Sequence, residues 1–90
     1  MPTLHAIARL VLSFVATATE ADEHERAATV AHRAHQRCPD MDSAHCRGIV
    51  DACNAADLSA CAVRARLSGD IVYALRCEDG RDRILARWGF

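Results

Sequence analysis

The segment HRAHQRCPDMDSAHC, residues 32–46, concentrates side chains that could bind a metal ion or form disulfides. It holds three of the chain's five histidines and two of its five cysteines. Imidazole nitrogen and thiolate sulfur are the ligands that Zn²⁺ prefers in structural sites. His32, His35 and Cys38 have the spacing i, i+3, i+6, which on a helix lets neighbouring pairs share an ion. The candidate ligands are His32, His35, Cys38, His45 and Cys46.

Packing without a metal is the interpretation that we favour for this segment. The chain contains no Cys-x2-Cys motif. On a helical wheel His35 and Cys38 fall on an alanine-rich face, and His32 falls at its edge. A buried neutral histidine bonded to a carbonyl, and cysteine used as a small apolar residue, explain this pattern without an ion. We therefore predict no metal and no cofactor.

Four cysteines show a regular spacing, Cys38-x7-Cys46 followed by Cys53-x7-Cys61. The pattern resembles the twin CX9C proteins of the mitochondrial intermembrane space, although the spacing here is seven. That resemblance implies two antiparallel helices joined by Cys38–Cys61 and Cys46–Cys53 disulfides. However, the residues between Cys46 and Cys53 continue a helical pattern, which would hold them about 10 Å apart, too far to bond. The alternative is that both cysteines lie on the buried seam of one helix.

The odd number of cysteines favours a reducing compartment, and we predict a cytoplasmic protein. Arg9 and Ser13 interrupt the first apolar run, which argues against a membrane span. The same run, followed by Ala16-Thr17-Ala18, also fits a signal peptide, and this alternative stays open.

Arginine supplies all eleven basic residues, and six of them lie in the last 27 positions. A guanidinium makes fixed, forked contacts to carboxylate or phosphate, so this basic end is our candidate partner-binding region. The predicted binding residues are Arg64, Arg66, Arg76, Arg81, Arg83 and Arg87.

The first two-thirds of the chain shows the periodicity of helices. Apolar residues recur on one face of residues 4–18, and that face is unusually wide. Acids begin the next helix, 20–37, and arginines end it, as the helix dipole favours. A break at Pro39 precedes a helix over 42–54, for which Asp40 or Asp42 is the predicted cap. Asn54 or Asp57 is the predicted cap of a fourth helix over 57–68.

The C-terminal residues alternate with period two around Asp79-Gly80, which is typical of a two-residue hairpin. This pattern predicts strands at about 71–77 and 82–88. Pairing through the turn would set Arg76 opposite Arg83 on the outer face. Like charges in that arrangement are destabilising unless an anionic partner meets them.

The predicted fold is α+β: one domain, 1–90, of three to four helices with a C-terminal two-stranded antiparallel β-hairpin. Its predicted core comprises Leu4, Ile7, Val11, Phe14, Val15, Ala31, Ile49, Val50, Cys53, Leu58, Ile71, Tyr73, Leu75, Ile84 and Trp88.

We predict a non-enzymatic protein-interaction module that docks on a larger protein assembly, because no nucleophile elbow or phosphate loop is present. The small size and helical content are typical of regulators and inhibitors of phage or mobile-element origin. A homodimer through the wide first helix is a further expectation. One alternative is a winged-helix nucleic-acid binder that uses the arginine-rich hairpin as its wing. Another is a metal- or thiol-based switch.

Overall fold

Four helices make up the part of this protein that the structure describes. The computed structural model describes residues 3–38 and 44–90, with the backbone alone at residues 44 and 45, and no strand occurs in that part of the chain. The elements are α1 (Leu4–Thr17), α2 (Ala21–His35), α3 (Ala44–Ser68) and α4 (Ile71–Arg87). The α+β prediction is therefore wrong, and the fold is an all-helical bundle.

Local capping explains where the first two helices begin, close to the predicted positions. The Thr3 hydroxyl accepts a hydrogen bond from the Ala6 amide at 3.1 Å and starts α1. Glu20 caps α2 in a reciprocal capping box with Glu23, whose carboxylate accepts from the Glu20 amide at 3.2 Å.

The predicted helices 42–54 and 57–68 are a single helix, α3. Asn54 and Asp57 can cap a helix, but neither forces a break, and no glycine or proline separates the two segments. The 25 residues of α3 would extend about 37 Å, which accounts for most of the molecule's 40 Å long dimension. The predicted caps Asp40 and Asp42 lie outside the described residues.

The predicted hairpin is the helix α4. Gly69, at φ 86°, ends α3, and the Asp70 carboxylate accepts from the Tyr73 amide at 3.2 Å to start α4. Asp79 and Gly80 then lie inside α4 rather than at a turn. Helical spacing fits the buried residues better than alternation, because the chain places them at i, i+3 and i+10/i+11: Ala74, Cys77, Ile84 and Leu85.

The other three helices surround α3. It packs against each of the other three, and α4 packs mainly on α3. Small residues of α3 allow these close approaches, because Ala52, Ala55 and Ala56 are completely buried. Larger side chains, chiefly Val11, Leu12 and Val15 from α1, fill the space around them.

The core prediction is confirmed in part. Val11, Val15, Ala31, Ile49, Cys53 and Ile84 are buried, and Leu4, Ile7, Leu58 and Trp88 pack at the edge of the core. Four predicted core residues are instead largely exposed, because three were assigned to the wrong element and one faces outward from α1: Ile71, Tyr73, Leu75 and Phe14.

Polar contacts join α3 to its neighbours and show that α2 and α4 run antiparallel to it. Glu25 and His32 of α2 pair with Arg64 and Asp57 of α3, respectively, so residue numbers rise in opposite directions. Likewise, Arg66 near the end of α3 pairs with Glu78, whereas Asp51 near its start pairs with Arg87 at 3.1 Å.

Candidate functional site

An apolar groove lies between α1 and α2. Its volume is about 310 Å³. We call it the α1–α2 groove, and it is lined by Leu10, Val11, Phe14, Arg26, Ala27 and Val30.

Three large apolar side chains of this groove remain open to solvent. Leu10 is 71% exposed, Val30 49% and Phe14 43%. Between them, Val11 and Ala27 are buried and form the floor. Contiguous exposed apolar surface of this kind is typical of a binding site, whereas a single exposed apolar residue is ordinary.

The sequence builds this groove because α1 carries more apolar residues than the core can bury. Leu10 and Phe14 are four residues apart and so share a face of α1, beside the buried stripe rather than within it. On α2, Val30 occupies the corresponding edge, next to the alanines that face α3. The sequence predicts the wide apolar face of α1, but it does not predict the α2 wall.

Arginines occur on the α2 side of the groove and just beyond the end of that helix. Arg26 lines the groove, Arg33 lies seven residues later on the α2 stripe that includes Val30, and Arg37 lies in the turn after α2; we call these three the arginine edge. Arg26 bonds Asp22 at 2.9 Å. Arg33 and Arg37 are exposed and have no ion pair with any residue that the structure describes. The opposite wall, α1, contains no acidic residue.

The arginines predicted to bind a partner are mostly occupied by carboxylates within the chain. Arg64 pairs with Glu25. On α4, Arg81 pairs with Asp82 at 2.9 Å and Arg83 with Asp79 at 3.0 Å.

Two more of these arginines hold α4 against α3. Arg66 donates from Nε and Nη2 to the two carboxylate oxygens of Glu78, at 2.8 and 2.5 Å. This forked bond lowers the pKa of Glu78 and raises that of Arg66. Asp51 accepts from Arg87 at 3.1 Å and from the Trp88 indole at 2.9 Å.

Arg76 alone of the six predicted arginines has no ion pair among the described residues. The opposition of Arg76 and Arg83 across two strands is wrong, because the two are seven residues apart on one face of α4. The repulsion that motivated an anionic partner at this face is therefore much reduced.

The candidate metal ligands do not form a metal site: Cys38 contacts Cys46, but no third ligand joins this pair among the described residues. His32 Nε2 lies 2.9 Å from Asp57 on α3, and His35 Nε2 is buried without a hydrogen-bond partner. Among the described residues, no group of three His, Cys, Asp or Glu side chains could hold a metal ion. The side chain of His45 lies outside the described residues.

No disulfide joins any of the five cysteines. Cys38 contacts Cys46 across the α2–α3 connection, and burial together with this thiol contact raises the pKa of Cys38 to about 11. Burial likewise raises the pKa of Cys53 to about 11. Cys77 and Cys61 instead contact Tyr73, whose pKa they raise. The implied Cys38–Cys61 bridge therefore lacks the necessary proximity.

Five exposed apolar side chains form a second group near the connection between α3 and α4. We call it the α3–α4 patch, and its members are exposed by 45% to 81%: Leu67, Ile71, Val72, Tyr73 and Leu75. A shallow depression beside Tyr73 reaches Arg64 and Asp70. The hairpin prediction assigned Ile71, Tyr73 and Leu75 to the core, so it did not predict this exposed patch.

Comparison with known proteins identifies no relative. No family model matches the chain, and neither the curated proteins nor the solved structures contain a match. The function must therefore be argued from the two apolar surfaces and the charges around them.

None of the helices in the described residues combines the length and the apolar character that crossing a membrane requires.

Proposed function

We propose that this protein is a non-enzymatic interaction module that docks on a larger protein through the α1–α2 groove. The observation that supports this most directly is the exposure of Leu10, Phe14 and Val30 around an apolar depression of about 310 Å³. Burying such a surface against a partner is favourable in proportion to its apolar area.

The groove is a stronger candidate than the predicted arginines. Five of those six arginines already contact a carboxylate of the same chain, so binding an external anion would compete with existing pairs. The winged-helix alternative also depended on a hairpin at residues 71–88, where the chain forms α4. No observation favours that alternative over the groove.

A regulator or inhibitor in the cytoplasm is the role that we propose for such a module. A small domain without its own reaction can act by occupying a surface of a larger assembly. The odd number of cysteines supports a reducing compartment.

Two matched leucine substitutions test the proposal. Leu10→Glu places a charge in the groove, and Leu67→Glu places the same charge in the α3–α4 patch, where Leu67 is 81% exposed. Leucine and glutamate have similar helix propensities, so both variants are expected to fold with unfolding free energies within about 0.5 kcal/mol of the parent.

The measurement is quantitative capture of partners from extracts of the native host, with each variant compared to the parent chain. We expect Leu10→Glu to remove a specific partner that Leu67→Glu retains. If the partner is lost only with Leu67→Glu, docking occurs at the α3–α4 patch and the groove proposal fails. If both variants retain every partner, the proposal also fails.

A further inference from the structure

The charges around the groove define its occupant more narrowly than its apolar lining does. Resting on the proposed function, we infer that the α1–α2 groove binds an amphipathic helix with acidic residues along one edge. The α1 wall contributes apolar side chains and no acid, whereas Arg26 lines the α2 wall and the rest of the arginine edge continues along α2 into the turn after it.

The arginine edge is available to a partner because most of it is unpaired. Arg33 and Arg37 are exposed without an ion pair among the described residues, whereas Arg26 is shared with Asp22. A guanidinium favours the planar carboxylate of Glu or Asp, which it binds with two parallel hydrogen bonds. Arg33 and Arg37, the two arginines without an ion pair among the described residues, therefore lie toward and just beyond the C-terminal end of α2.

A helix fits the groove better than an extended strand does. The walls are two helices without unpaired backbone donors along their length, so a strand could not gain main-chain hydrogen bonds there. A helix buries apolar residues at i, i+3, i+4 and i+7, and such a stripe suits a depression lined by apolar side chains of two neighbouring helices. Its flanking acids would then lie beside Arg33 and Arg37.

The test uses two synthetic helical peptides of the same length. Both carry leucines at i, i+3, i+4 and i+7. One has glutamates along one edge of the leucine stripe, and the other has lysines at the same positions. Titration into isotopically labelled protein at low salt gives the affinity, and chemical-shift changes report the contact surface.

We expect the acidic peptide to bind about tenfold more tightly than the basic one, as two exposed ion pairs would provide. The shifts should centre on Leu10, Phe14 and Val30, and the preference should shrink in 0.5 M salt because salt screens exposed charges. The double substitution Arg33→Gln, Arg37→Gln should remove the preference. Arg76→Gln, on α4, is the matched control and should retain it.

Several outcomes would overturn the inference. Equal affinity for the two peptides, with both lost in Leu10→Glu, would leave the groove as a docking site but reject the acidic helix. If neither peptide binds but vesicles of anionic phospholipid do, the acidic helix is rejected in favour of a lipid surface. A concentration-dependent dimer that Leu10→Glu abolishes, and that excludes both peptides, would identify a second copy of this chain as the occupant. The capture experiment tests the proposed function separately.

Discussion

Single buried polar atoms lower the stability of this fold. Ser59 is completely buried in α3, and its hydroxyl has no hydrogen-bond partner. A buried hydroxyl without a partner loses its bonds to water and gains nothing in return. Ser59 is therefore a residue that the fold accommodates at a cost.

We expect Ser59→Ala to increase the free energy of unfolding by about 1–2 kcal/mol. The gain combines the removed desolvation penalty with the higher helix propensity of alanine. Ser13→Ala, on the exposed side of α1, is the control and should give only the propensity gain of about 0.5 kcal/mol. Urea unfolding followed by circular dichroism measures both. A loss of stability in Ser59→Ala would mean that the hydroxyl is satisfied.

A second buried group, His24, makes stability depend on pH. It is 1% exposed, and burial lowers the pKa of its imidazole. A hydrogen bond with the Ala18 backbone and the negative charge of Glu23 raise this pKa, whereas the positive charge of nearby Arg81 lowers it further. Because the folded pKa lies below the unfolded value of about 6.5, the unfolded chain binds more protons between these two values.

The free energy of unfolding should therefore fall as pH decreases from about 7.5 through 6.5 toward the folded pKa of His24. A nuclear magnetic resonance titration of the His24 ring should give a midpoint below 6.5 in the folded protein. Replacement by His24→Gln should flatten the dependence of unfolding free energy on pH in that window. A His24 midpoint above 6.5 would contradict the prediction.

At the scale of elements, α4 shows how two local signals competed for the same residues. Asp79-Gly80 between alternating apolar residues indicated a hairpin, but the same stretch also satisfies helical periodicity. Burial of Ala74 and Cys77 against α3, and the Asp79–Arg83 pair at i, i+4, favour the helix. Positive φ occurs at Gly69 and Gly89, and not at Gly80.

Alanine substitutions at two glycines distinguish these structures. We expect Gly80→Ala to raise the unfolding free energy by about 0.5–1 kcal/mol, because alanine is the better helix former. The added Cβ would lie 3.2 Å from Leu58 Cδ1, the end of a side chain that is only partly buried and can shift.

Gly69→Ala is the opposite case and should lower the unfolding free energy by about 1 kcal/mol, because φ there is 86°. Thermal melts of the two variants give the comparison. Stabilisation at position 69 together with a loss at position 80 would support the hairpin instead.

The sequence predicts an element well where apolar periodicity, caps and terminal charges agree with one another. For α1 and α2, apolar period, caps and terminal charges agree, so their positions could be predicted. For α3, the possible caps Asn54 and Asp57 suggested two helices where tertiary packing on both sides maintains one. For the groove, the wide α1 face was readable, but its α2 wall depends on how the two helices meet.

For the whole molecule, α3 connects α4 to the packed pair of helices α1 and α2. The Arg66–Glu78 and Asp51–Arg87 contacts hold the middle and the C-terminal end of α4 on α3. Opening of α4 would expose Cys77, whereas Cys53 belongs to the core that α1 and α2 build with α3. Local opening of this kind has its own free energy, smaller than that of global unfolding.

We expect Arg66→Gln to increase the rate at which a thiol reagent modifies Cys77 by about threefold, and to change the Cys53 rate little. Arg64→Gln removes the pair between α2 and α3 and is the matched control, which should leave Cys77 unchanged. Mass spectrometry of timed samples gives both rates. Equal acceleration of Cys53 and Cys77 in Arg66→Gln would show that the bundle opens as one unit.

The alanine-lined surface of α3 also constrains how this protein can diverge. Side chains larger than alanine at positions 52, 55 and 56 would separate three helices at once, so natural variants that keep this bundle should keep small residues there. Outward positions carry no such restriction. Evolutionary change of partner can therefore proceed at Leu10, Val30 and the arginine edge while the interior stays nearly fixed.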